Sequence, residues 1–229
     1  MEFDPQKIVH QDRDTSSGYH LMVARGWRIL GENRLHAPLA YSAFEFRCSI
    51  ERALIELFVL IRDKNPSKAD IRAMNSIRGI RKAIYFTYGS KERFQRTMTF
   101  NRLYVRSSGA PRIFVFCEVD IDVMERYWSK LSEYCHRQLK PATTWQSMGN
   151  EWLLEGYKLL TEVEDFLWGI LETSKIGWVQ TRTMQPEVLD ALTQFVDGVI
   201  DQATLDIRLN LMSPIIAQRV QSQILTFAG

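Results

Sequence analysis

Cysteine is scarce in this chain and falls in no metal-binding or framework pattern. Cys48, Cys117 and Cys135 make three, without a C-x-x-C spacing. Neither a disulfide framework nor a thiolate zinc site is therefore expected. His10, His20, His36 and His136 are scattered, with no H-x-H or H-x-x-x-H pair, so no metal and no cofactor are expected. No apolar run approaches the roughly 20 residues needed to cross a bilayer. The opening MEFDPQKIVHQDRD is too charged for the apolar centre of a signal peptide. A cytoplasmic chain without membrane contact is the expectation. Repeats and low-complexity stretches are absent, as are a phosphate-cradling glycine loop, a serine nucleophile elbow and a paired-carboxylate constellation.

What remains is a chain of 229 residues, 45% hydrophobic, long enough to bury one domain or one domain with an appendage. Its formal charge of +2 hides an asymmetry. Between Arg62 and Arg112 stand thirteen Lys/Arg against three acids, a net of +10, so the rest of the chain carries −8. A block of that kind is the footprint of a phosphate-binding surface. The competing reading is internal: the basic segment packs against the acidic helices that follow.

Residues 1–15 are polar and aperiodic, which predicts a loose N-terminal arm. Ser16 or Ser17 caps a helix to about Asn33, with a stripe of Tyr19, Val23, Trp27 and Leu30. A longer helix runs from His36-Ala37-Pro38 to about Asp63, with Ala40, Ala43, Phe44, Ile50, Leu54, Leu57, Phe58 and Ile61 facing inward. The short connection makes the two an antiparallel αα-hairpin. Arg47 interrupts the inward stripe, and Glu51, one turn on, is its available partner. The two form either a buried polar network or an arginine that snorkels to the edge.

A third helix is expected over 68–87 after Asn65-Pro66-Ser67. The runs Met98–Val105 and Ile113–Phe116, around Ser107-Ser108-Gly109-Ala110-Pro111, predict a β-hairpin at 96–119. That hairpin carries Arg96, Arg102, Arg106 and Arg112, the candidate nucleic-acid-binding set. Asp120 or Asp122 then opens a strongly amphipathic helix with Ile121, Met124, Trp128, Leu131, Cys135 and Leu139 on one side. Glu125, Ser129, Ser132 and His136 share its polar face. Further helices are expected at about 146–173 and 183–201, and the alternation of 203–212 predicts a strand. The fold class is mainly α, a helical bundle with a small β-hairpin or short sheet insertion.

The stretch ARGWRILGENRLHAPLAYSAFEFRCSIERALIEL, a helix, a short break and a long second helix, resembles the opening of the HEPN domain superfamily. These are compact helical bundles common as nucleic-acid-linked modules in prokaryotic toxin–antitoxin and phage-defence systems. The resemblance covers about residues 16–173 and leaves 178–229 as a C-terminal appendage. In nuclease members a later helix carries arginine, four to six residues, then histidine. The counterpart here is Lys130, five residues, His136, in KLSEYCH.

Lysine lacks the planar guanidinium that grips phosphate bidentately, and Leu131 stands where a polar residue often follows. The resemblance therefore implies a non-catalytic interaction module, a homodimer binding RNA or an acidic protein. The alternative is a metal-independent ribonuclease, with His136 as general acid or base, Lys130 on the phosphate and Ser132 one turn before the histidine.

Overall fold

Ser16 starts the first helix: its side-chain oxygen accepts the Tyr19 N–H at 3.1 Å, and α1 runs Ser17–Leu30. After the turn at residues 31–35, α2 (His36–Arg62) follows. Ser67 and Asp70 form a capping box that opens α3 (Lys68–Met74). Asn75 and Ser76 interrupt the chain before α4 (Ile77–Tyr88), so the third helix expected over 68–87 is two. Then come α5 (Lys91–Ser107), α6 (Ile121–His136), α7 (Asn150–Leu171), α8 (Pro186–Val196) and α9 (Gln202–Leu211). The computed structural model describes residues 16–62, 65–109, 119–136, 150–171 and 184–218, and all regular structure among them is helical.

The described residues cluster into two compact units. One draws on 1–83 and 120–172, the other on 84–119 and 173–229. In the first, α1 and α2 lie antiparallel. Ser17 meets Ser49 and Glu56, His20 meets Glu45, and Ala24 meets Ser42, so partners fall in number as α1 advances. α2 packs in turn on α6 and α7. Phe46, Ile50, Leu54 and Leu57 of α2, Met124 and Leu131 of α6, and Leu160, Val163 and Leu167 of α7 are wholly buried. Each such side chain contributes about 1.5–3 kcal/mol of hydrophobic stabilisation. Asp120 opens α6 as expected, its carboxylate accepting the N–H groups of Asp122 and Val123.

In the second unit α5 packs on α8 and α9. Phe100, Tyr104, Val188, Leu192, Phe195, Leu205 and Leu209 are among the residues of its core.

Both β expectations are overturned among the described residues. Instead of the first strand of a hairpin at 96–119 there is the helix α5, opened by the Ser90 hydroxyl on the Arg93 N–H. Its buried Phe94, Met98, Asn101 and Tyr104 recur every three or four residues. Phe100, Leu103 and Val105, read from the sequence as a β-rich run, are spread around that wide buried face of a helix. Residues 110–118, with the second predicted run, lie outside the described residues.

The strand expected at 203–212 is α9, capped by the Asp201 carboxylate on the Thr204 N–H. Of its alternating residues only Leu205 and Leu209, one turn apart, are buried, while Ile207 and Leu211 are 62% and 78% exposed. A cap that satisfies an otherwise orphaned N–H fixes the backbone as helix whatever the apolar period. The expected inward stripes also shift: Tyr19, Leu30 and Phe44 are exposed, and Leu21, Ala24 and Phe46 take their places.

Candidate functional site

The α2–α6 seam carries the most elaborate side-chain cluster of the first unit. Arg47 lies over the Trp128 ring, its guanidinium carbon 4.3 Å from the ring centre. Its side chain is 16% exposed, and Glu51 stands 3.7 Å away. The Trp128 indole N–H donates to the same Glu51 oxygen at 2.5 Å, so one carboxylate serves both helices. Burial pushes the Cys48 thiol up to about 11, reinforced by Glu45 and Glu51, and burial raises Cys135 against the pull of Arg47. Neither sulfur is a thiolate at neutral pH, so neither is primed as a nucleophile.

Beside this seam opens a cleft of about 480 Å³. Glu51 and Ile55 of α2, the Met74–Arg78 junction with Ile80, and Glu125, Trp128 and Ser129 of α6 line it. The α4 wall is tied to α6 by Arg81, which reaches Glu125 at 2.5 Å and Asp122 at 3.3 Å, and by Arg78, 3.8 Å from Glu125. The cleft's carboxylates thus face arginines already in place. Its remaining wall is largely apolar.

Of the residues singled out from the sequence, Lys130, Ser132 and His136 belong to α6, and Arg47 and Glu51 to α2. Lys130 is exposed on α6. The Ser132 hydroxyl donates to the Trp128 carbonyl at 2.8 Å, a bond within its own helix. His136 is the last residue of α6, and its side chain lies outside the described residues. Arg47 and Glu51 sit together in the seam described above.

Of the candidate nucleic-acid-binding arginines, Arg96, Arg102 and Arg106 stand on α5 in the second unit. Arg96 donates to the Phe195 carbonyl at 2.8 Å and stands over the Phe195 ring. Arg106 pairs with Asp206, as Arg93 does with Asp197. Arg102 is exposed, and Arg112 lies outside the described residues.

Other cations of the basic block are placed differently. Lys68 and Arg72 are one turn apart on α3, and Lys82 stands on α4. All three are exposed and pair with no acid among the described residues. Sequence reading passed over them in favour of the arginines around the expected turn. The available signal was their spacing on short, polar helices, against arginines set among the apolar residues of α5.

No group of three or more His, Cys, Asp or Glu among the described residues is placed to hold a metal ion, and no described helix is long and apolar enough to cross a membrane. No protein-family model, curated protein or solved structure matches this chain.

Proposed function

We propose that this chain is a non-catalytic helical interaction module that binds nucleic acid, single-stranded RNA foremost, through the basic surface of α3 and α4. The observation that carries the reading is the trio Lys68, Arg72 and Lys82, exposed on the helices that wall the cleft and without acidic partners among the described residues. Cations left to solvent are available to phosphate, whereas Arg93, Arg96 and Arg106 of α5 are spent on Asp197, the Phe195 carbonyl and Asp206. The HEPN-like resemblance of 16–173 and its setting in prokaryotic defence or toxin–antitoxin systems belong to the same proposal.

The non-catalytic part rests on the dispersal of chemistry along α6. Ser132 has its hydroxyl bonded to the backbone, and Lys130 has the point charge of an ammonium where arginine would grip phosphate with two parallel bonds.

The test is incubation of wild type and His136→Ala with labelled single-stranded RNA in the presence of a chelator. The expected outcome is intact RNA of retarded mobility with both proteins. Cleavage by wild type but not by His136→Ala makes the chain a metal-independent ribonuclease. Intact, unshifted RNA, with retention on immobilised polyglutamate, makes the partner an acidic protein.

A further inference from the structure

The polar side chains that line the cleft beside the α2–α6 seam divide into engaged and unengaged groups. Glu125 is held by Arg81 and Arg78, and its side chain is 20% exposed. The Ser76 hydroxyl accepts the Gly79 N–H at 3.0 Å, in the first turn of α4. Glu51, by contrast, is 45% exposed, and one of its oxygens receives the Trp128 indole N–H. Its second oxygen, the Ser129 hydroxyl and the Asn75 carboxamide have no hydrogen-bond partner among the described residues. The rest of the lining is mainly Ile55, Met74, Ile77, Ile80 and Trp128. At about 480 Å³ the cleft falls within the roughly 300–1,000 Å³ of small-ligand pockets. Apolar walls with a few unengaged polar groups hold a ligand in one orientation.

The chemistry of those groups narrows the ligand. A free ammonium is disfavoured, because Arg47, Arg78 and Arg81 outnumber Glu51 and Glu125 around the site. A carboxylate accepts at about four lone-pair positions, so Glu51 can take two further N–H bonds while keeping that of Trp128. It therefore suits a neutral, planar group with two adjacent donors. Among the nucleobases guanine alone carries such a pair, its N1–H beside its N2 amino group. Adenine and cytosine set an acceptor nitrogen beside their amino group, and uracil has one N–H between two carbonyls. Guanine also presents O6, an acceptor for the Ser129 hydroxyl or an Asn75 N–H.

We propose that this cleft is a guanine pocket, filled by one unstacked guanine of a bound single strand, with Glu51 accepting from N1–H and the N2 amino group. The inference rests on the RNA-binding reading of α3 and α4. Arg78 lines the cleft at 74% exposure, and Lys82 stands about 6 Å further along α4 at the helical rise. Arg72 is two residues before Met74, the lining residue that ends α3, or about 3 Å along the axis. Those spacings match one or two nucleotide steps of about 3.4 Å, so cations that hold the phosphates flank the residues that meet the base.

The test pairs mononucleotides with short RNA. In calorimetric titrations of the full chain, guanosine monophosphate should bind about tenfold or more tightly than inosine monophosphate, which lacks only the N2 amino group. In anisotropy, an oligouridine with one central guanine should bind about tenfold more tightly than plain oligouridine. Two variants should lose both preferences at unchanged helical circular dichroism. Glu51→Gln keeps an oxygen for the indole N–H but turns a donor on the base, and Ser129→Phe fills the cleft from an exposed position on α6. Equal or undetectable binding of the two mononucleotides, or a guanine preference that persists in both variants, overturns the proposal. Oligouridine bound as tightly as its guanine counterpart also overturns it, and leaves the phosphate-binding surface standing. Guanosine monophosphate bound in preference to inosine monophosphate, with neither RNA bound, supports the pocket and overturns the RNA reading.

Discussion

Arg47 shows how one polar residue is kept inside an apolar stripe. Its guanidinium stands over Trp128 and its charge is met by Glu51, but Glu51 itself is 45% exposed. The pair is therefore half open to water. Removing one partner of a sealed ion pair costs about 3–5 kcal/mol, because the other charge is stranded. Here water can reach the abandoned carboxylate, so the loss reduces to the cation–π contact and its packing. Arg47→Met should lower stability by about 1–2 kcal/mol, read as a shift of the urea midpoint at unchanged slope. Arg47→Lys should recover little of it, since an ammonium lacks the planar face that covers the indole. A loss above about 4 kcal/mol would mark a sealed network instead. The residue type and its i,i+4 partner were readable in the sequence. Trp128 was readable only as part of an apolar stripe, because a ring used as a platform for a cation has the same spacing as one used as core.

Between elements, polar caps and ties decide what periodicity leaves open. Glu56 of α2 accepts the Ser17 N–H at 3.0 Å and the Ser17 hydroxyl at 2.6 Å, pinning the start of α1. Burial pushes the Glu56 carboxyl above its ordinary 4.5, while the bonds from Ser17 and the charge of Arg52 pull it down. A raised folded value means that Glu56's contribution to stability is full below pH 4.5 and is lost as pH rises through the folded value. Glu56→Gln should therefore flatten the decline in urea midpoint above that pH. An unchanged profile would place the pH dependence elsewhere.

The same level explains which elements were legible. α2, α6 and α7 have long stripes at three and four, and their sequence bounds come within a few residues of the observed ones. The apolar residues of α9 also alternate and those of α5 form a β-rich run, and the Ser90 and Asp201 caps settle the matter. Both caps stand in the sequence, one residue before each helix, and outweigh the β-like runs that follow. Less legible was which side of α1 faces the core. Both sides are apolar, so the stripe of Tyr19, Val23, Trp27 and Leu30 was as good a reading as the Leu21 and Ala24 side that is buried.

Across the whole molecule the basic block serves two purposes that composition cannot separate. In the second unit, Arg93, Arg96 and Arg106 hold α5 to the C-terminal helices through Asp197, the Phe195 carbonyl and Asp206. In the first, Arg78 and Arg81 tie α4 to α6, and Lys68, Arg72 and Lys82 are left to solvent. The acids that neutralise α5 lie about 100 residues later in the chain, beyond the reach of any local charge count.

Charge reversal tests this division most directly, by anisotropy of labelled single-stranded RNA across a salt series. Each phosphate contact on a single strand contributes about −0.7 to the slope of log affinity against log salt, so the three free cations should supply a slope of about −2. Changing Lys68, Arg72 and Lys82 together to glutamate should abolish that component and leave helix content intact. Changing Arg93, Arg96 and Arg106 to glutamine should instead lower the melting temperature and leave RNA affinity, measured below that temperature, nearly unaltered. Loss of binding in the glutamine variant, with full binding in the glutamate variant, would contradict the account.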